Sequence, residues 1–176
     1  MTNKQEYFLE LFEPIKHNLW RFCLSVSNSY EDAKDLLQDT IEIAYKKIDS
    51  LKDNKYFLSW LFSIASRKNI EKQNKRKYEI NCYDYDALIS VLASNEGNPE
   101  LQTDIKLLYE ALEKLPYQQK EAVILSEIIG LNHKDIGIIQ SVSTEAVKQR
   151  VYRGKQLLKS ILINNNVDSY ITNNNL

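Results

Sequence analysis

Apolar residues recur along this chain at steps of three and four, the spacing at which side chains share one face of a helix. Phe8, Leu11, Phe12, Ile15, Leu19, Phe22, Cys23 and Val26 form a first stripe. Pro14 lies inside it and predicts a kink or a fresh first turn, because proline lacks an N–H and its ring crowds the preceding turn. Ala33, Leu36, Leu37, Thr40, Ile41, Ala44 and Ile48 form a second stripe. It follows Ser29, whose hydroxyl suits an N-cap with Asp32 three residues on. Its other face is polar and acidic, with Asp35, Gln38, Asp39 and Glu42. After a short polar loop, Phe57, Trp60, Leu61, Ile64 and Ala65 make a third stripe. That helix runs on into Ser66–Lys77, which holds six basic residues and one acid.

The period lapses over residues 79–104 and resumes with Ile105, Leu108, Ala111, Leu112 and Leu115. Pro116 ends this helix and suits the first position of the next. Gly130 suits a C-terminal cap after Ile129. A short helix over His133–Gln140 and a longer one from Thr144 to about Leu162 complete the series. Only four glycines and three prolines occur in 176 residues, too few turn formers for a β fold. The expectation is an all-α protein of two small helical domains. Residues 1–78 form the first and residues 105–163 the second, with a flexible linker over 79–104 and a disordered Asn-rich tail over 164–176.

Charge sharpens that division. The formal charge is +3 over residues 1–78, −6 over 79–104 and +2 over 105–176. The linker has no basic residue, and basic clusters flank it. The net charge of −1 by itself gives no attraction to nucleic acid.

Several classes are excluded. No apolar run approaches the roughly 20 residues that span a bilayer, so no membrane insertion is expected. The first residues lack a signal peptide's apolar stretch, so the chain is expected in the cytoplasm. Cys23 and Cys82 are far apart, as are His17 and His133, which argues against a disulfide framework or a metal site. No nucleophile–base pairing or phosphate-binding glycine loop is present, so no enzyme and no cofactor are expected.

The segment from Asn132 to Lys159 carries the strongest positive signal. Asn132 and Ser143 are placed to cap two helices across a tight turn at Ser141–Ser143. Ile136 and Ile139 on the first helix and Val147, Val151 and Leu158 on the second point to one core. Gly137 is small where the helices cross. This is helix-turn-helix anatomy. The second helix presents Thr144, Lys148, Gln149, Arg150, Tyr152 and Arg153, with no acid between Ala146 and Lys159. Arg, Lys and Gln hydrogen-bond to base edges and phosphates in a major groove. A merely solvated basic helix end fits the same periodicity and charge.

Two blocks resemble RNA polymerase sigma factors of the sigma-70 family, in the small extracytoplasmic-function (ECF) group. The first is Tyr30–Ile48 with Phe57–Lys77; the second is Ala111–Lys159. The resemblance implies a region-2-like helical bundle and a region-4-like helix-turn-helix. It also implies promoter-specific transcription initiation as a non-catalytic polymerase subunit. Partners would be the clamp helices and flap of core RNA polymerase, promoter DNA and an anti-sigma factor. Asp35, Gln38, Asp39 and Glu42 would dock on polymerase. Lys52, Asp53, Asn54 and Tyr56 would form a pocket for unpaired −10 bases, with Phe62 as a further base contact. Lys68, Asn69, Lys72, Lys75 and Arg76 would track the opened strand. Trp60 belongs to the core stripe. Thr144, Lys148, Gln149, Tyr152 and Arg153 would read the −35 element, with Arg150 directed at the backbone.

The chain departs from the family pattern in places. Ser66-Arg67 stands where Arg-Asn is usual, Glu71 for Asp, Gly137 for Ala and Ser141 for the turn Gly. The competing expectation is a stand-alone helix-turn-helix regulator with an N-terminal effector or dimerisation domain. Its affinity would come mainly from phosphate contacts, which the near-neutral charge disfavours.

Overall fold

The computed structural model describes residues 3–76 and 99–173, and every regular element among them is helical. Residues 77–98, which include most of the expected acidic linker, lie outside the described residues.

The first stripe becomes two helices. Asn3 caps α1 (Lys4–Phe12), and Glu6 accepts from the Asn3 backbone in return. Pro14 then forces a 3₁₀ turn, Glu13–Ile15, before α2 (Lys16–Val26). Ser29 Oγ accepts from Asp32 N at 3.1 Å and starts α3 (Tyr30–Lys47). Two 3₁₀ turns, Ile48–Ser50 and Asn54–Tyr56, lead into α4 (Phe57–Arg76). Helices α2, α3 and α4 close around Phe22, Leu36, Leu61 and Phe62, all fully buried. Phe8 of α1 packs on the Phe57 and Tyr45 rings.

In the second half, α5 (Pro99–Glu113) starts before residue 105, inside the segment expected to be linker. The Pro116 carbonyl accepts from Gln119 and Lys120 at 2.9 Å and nucleates α6 (Tyr117–Val123). A π turn, Ile124–Ile128, follows, and Gly130 ends it at φ +80°. Asn132 Oδ1 accepts from Asp135 N at 2.9 Å and caps α7 (His133–Gln140). Ser141 makes the turn at φ 54°, and Ser143 Oγ accepts from Ala146 N at 3.2 Å at the head of α8. That helix spans Thr144–Asn173 and so runs through most of the segment expected to be a disordered tail. No glycine or proline occurs after Gly154 to stop it.

The two halves pack directly on each other, and one apolar cluster runs through both. Helix α4 is consequently covered on two sides. Ser59, Ser63, Ser66 and Asn69 are all buried along it.

Candidate polymerase and nucleic-acid interfaces

Helix α3 presents Asp35, Gln38 and Glu42 to solvent at helical spacing. Glu42 is held by Lys46, one turn on. Beside them Leu37, Ile41 and Tyr45 line a shallow apolar groove. The periodicity assigned Leu37 and Ile41 to the core; the structure leaves both half-exposed, because α1 and α2 cover only the neighbouring strip of α3. Asp39 departs from the expected docking face. It is half-buried and turned toward α4, with its carboxylate 3.5 Å from Lys68 Nζ and 3.4 Å from Lys72 Nζ.

The loop before α4 is built from short-range bonds. Asp53 Oδ1 accepts from Lys55 N at 3.0 Å, and its other oxygen pairs with Lys55 Nζ at 2.7 Å. The Lys55 ammonium donates to Asp53 and so holds that carboxyl below its ordinary value. Lys52, Asn54 and Tyr56 are exposed around this turn, and Lys55 lies over the Tyr56 ring.

Two expected strand contacts fail on geometry. Phe62 is fully buried with its ring centroid 5.4 Å from that of Phe22, so it is a core residue and not a base platform. It lies one residue from Leu61, at the flank of the apolar stripe, and packs inward on Phe22 of the same half. Asn69 is only 4 % exposed and donates to Tyr117 OH at 3.3 Å. It is a contact between the halves and is covered while they are packed together. Lys68 and Lys72 reach solvent only in part, whereas Lys75 is exposed. The Arg76 side chain lies outside the described residues.

On α8, Thr144, Lys148, Gln149, Tyr152 and Arg153 share an exposed surface, and Tyr152 is 66 % exposed. Lys148 leans on Glu145 at 2.8 Å. Arg150 is half-buried and donates to Gln140 Oε1 at 2.8 Å, so it braces the helix-turn-helix from within. Gly137 permits the crossing: a Cβ there would lie 2.8 Å from the Val142 carbonyl oxygen. Gly154 does the same for α6, where a Cβ would lie 2.7 Å from Val123 Cγ2.

Sequence reasoning missed the polar centre between the halves. Glu121, 3 % exposed, accepts from Ser66 Oγ at 2.6 Å, Tyr117 OH at 2.8 Å and Gln140 Nε2 at 2.8 Å. Burial first, and then the Glu121 charge, push the Tyr117 phenol well above its ordinary range. A second buried contact joins Ser25 and Tyr109 hydroxyls at 2.9 Å. The available signal was the run of small polar residues Ser59, Ser63, Ser66 and Asn69 on α4. Small side chains at helical spacing mark a second packing face.

Among the described residues no cluster of three His, Cys, Asp or Glu side chains fits a metal ion. Cys23 is buried, and burial pushes its thiol up to about 12. Among the described residues no helix is long and apolar enough to cross a membrane.

A three-helix core with a basic loop-helix edge, followed by a helix-turn-helix with an exposed basic reading helix, defines a two-part DNA-directed initiation factor. Residues 11–78 match the family described as Sigma-70 region 2, and residues 105–158 match Sigma-70, region 4. The chain belongs to the sigma-70 family, and within it to the ECF sigma factors, which direct transcription initiation. It is 31 % identical over 153 residues to the ECF RNA polymerase sigma factor SigM of Bacillus subtilis, covering 86 % of this chain and 93 % of that one. It is 30 % identical to the sigma factor SigV of the same organism, covering 82 % of this chain and 84 % of that one. A solved structure of the sigma factor RpoE with the anti-sigma factor NepR from Bartonella quintana superposes at a TM-score of 0.68. That neighbour is 25 % identical and covers 88 % of this chain and 97 % of that one. CnrH, solved with the cytosolic domain of CnrY, shares the fold at a TM-score of 0.67 and 21 % identity, over 92 % of this chain and 90 % of that one. An N-terminal half that matches region 2 disfavours the stand-alone regulator.

Proposed function

We propose that this chain recruits core RNA polymerase through α3 and brings it to promoters read by two separate surfaces. It works in the cytoplasm as a non-catalytic specificity subunit. Asp35, Gln38 and Glu42 meet the polymerase clamp, with Asp39 at the edge of that face. The flap takes the C-terminal half. Lys52, Asp53, Asn54 and Tyr56 hold an unpaired −10 base, and Lys68, Lys72, Lys75 and Arg76 follow the opened strand. Thr144, Lys148, Gln149, Tyr152 and Arg153 enter the major groove at −35, with Arg150 fixing the reading helix from behind. The shallow apolar groove at Leu37, Ile41 and Tyr45 supports a further partner, an anti-sigma factor, on the same helix.

The observation that carries this reading is the first three turns of α8. Five side chains able to contact DNA are exposed together there, set by a capped turn and free of acids from Ala146 to Lys159. The test is reconstituted transcription with core polymerase and promoters selected from a random library. Lys148→Ala with Arg153→Ala should lower −35-dependent initiation on the order of 100-fold, since each specific contact is worth about 1–3 kcal/mol. Core affinity should largely hold, because the clamp-docking surface is on the other half and the two replaced side chains face the major groove. Tight duplex binding by the free chain with no affinity for core would sink the proposal.

A further inference from the structure

Helix α1 has no role in the function proposed so far, yet it is tied to the base-pocket loop at three points. Lys4 Nζ pairs with Asp49 Oδ2 at 2.5 Å, before the loop. Tyr7 OH donates to Asn54 Oδ1 at 2.5 Å, inside it. Phe8 packs its ring 6.0 Å from that of Phe57, just after it. Three successive turns of loop and helix start are thus held by residues at positions 4, 7 and 8, one face of a single helix.

The middle contact has a chemical consequence. Within the loop, Asp53 is committed to Lys55, and Lys55 also covers the Tyr56 ring. Asn54 has its carbonyl oxygen engaged by Tyr7, and its Nδ2 has no acceptor among the described residues. Asn54 is exposed and Tyr7 is half-buried, so the carboxamide is anchored at its oxygen and offers its amide outward. A free asparagine reads adenine with both ends at once, accepting from N6 and donating to N7. An asparagine whose oxygen is held by a hydroxyl has one acceptor lone pair taken and its carboxamide plane set, so it meets a base mainly through its amide. A single donated bond is open to all four bases, adenine accepting at its ring nitrogens.

We propose that Tyr7 is a positioning residue for base selection, holding Asn54 through its oxygen so that the loop meets the base through a fixed amide donor and forgoes the two-ended pairing that singles out adenine. The inference rests on the reading of Lys52–Tyr56 as the −10 base pocket. Tyr7 touches no DNA itself and acts through Asn54. Its ring stays half-buried against the core, so Tyr7→Phe removes the hydroxyl while keeping the packing.

The experiment measures initiation by reconstituted holoenzyme on promoters carrying each of the four bases at every −10 position. Asn54→Ala locates the position that Asn54 reads, as the one where base preference flattens. There, Tyr7→Phe should raise the use of adenine relative to the other bases about two- to ten-fold, the worth of one hydrogen bond, because the freed oxygen can accept from N6. Core affinity and −35 dependence should stay at wild-type values. Asn54→Asp, which only accepts, should move the preference toward the amino-bearing bases adenine, cytosine and guanine and away from thymine. Unchanged base ratios in Tyr7→Phe, with Asn54→Ala flattening the profile, would overturn the Tyr7 role alone. If Asn54→Ala leaves every −10 position unchanged, the pocket assignment fails and takes the Tyr7 role with it.

Discussion

Ser66 of α4 donates its hydroxyl to the Glu121 carboxylate of α6 at 2.6 Å, across 55 residues of sequence and across the contact between the two halves. Glu121 passes the connection on through Gln140 to Arg150, at the root of the reading helix. Elements at −35 and −10 lie roughly 85 Å apart at about 3.4 Å per base pair. On the proposed reading the two halves part before both elements are read, which breaks this chain of bonds.

Glu121→Ala should promote that parting. It leaves Ser66, Tyr117 and Gln140 without their buried acceptor, and hydrogen bonds to a charged group are worth about 1.5–3 kcal/mol each. Small-angle scattering of the free protein should show a larger radius of gyration, and the melting temperature should fall. A variant as compact as wild type would mean that the apolar contact alone holds the halves together.

Alkaline pH should act at the same place. The Tyr117 phenol is raised by burial and then by the Glu121 charge. A raised group is protonated in the folded state where the unfolded chain has lost its proton. Its contribution is therefore complete below the ordinary phenol range near pH ~10 and is lost progressively above it. Stability measured by denaturant titration should decline above about pH 10, and Tyr117→Phe should flatten that decline. An equally steep decline in the variant would assign it to other groups, Tyr109 among them, whose phenol is also raised by burial.

The acids of α3 should divide into two kinds. Glu42→Arg removes an exposed charge and should weaken core binding at least several-fold with little change in melting temperature. Asp39→Arg sets a third cation beside Lys68 and Lys72 and should lower stability by about 1–2 kcal/mol as well. Equal thermal stability of the two variants would contradict the placement of Asp39 against α4.

The turn of the helix-turn-helix can be improved. Ser141 holds φ 54°, a conformation that carries a penalty of about 1 kcal/mol for a residue with a Cβ. Ser141→Gly should stabilise the C-terminal half by about 0.5–1 kcal/mol in a denaturant titration, provided glycine's extra unfolded freedom does not absorb the gain. A destabilised variant would show that the serine hydroxyl matters more than the backbone.

The helices themselves were legible because their signals are local. The caps at Ser29, Asn132 and Ser143, the break at Pro14 and the stop at Gly130 all act within a turn of their own position. The reading helix was legible for the same reason, its exposed face being written in consecutive residues. What escaped was long-range. Asn69 sits on a helix whose N-terminal packing partners are obvious from periodicity. Whether its own side faces water depends on a second half of the chain that begins more than 20 residues later. Glu121 was hidden similarly, since nothing local shows that Ser66 and Gln140 converge on it. Asp39 was grouped with its exposed neighbours because helical spacing alone does not say which edge of a polar face the next helix touches.

The pairing of Asp39 with Lys68 and Lys72 also changes what strand binding means for this molecule. Those lysines already carry an internal counterion, so a phosphate arriving there replaces one anion with another. Fewer solution ions are set free than a bare pair of lysines would release, and salt should weaken this contact less steeply than the lysine count implies. The same exchange makes random phosphate backbone a poor competitor. A strand gains the site only when it brings something beyond charge to displace the carboxylate, such as a base seated in the neighbouring loop.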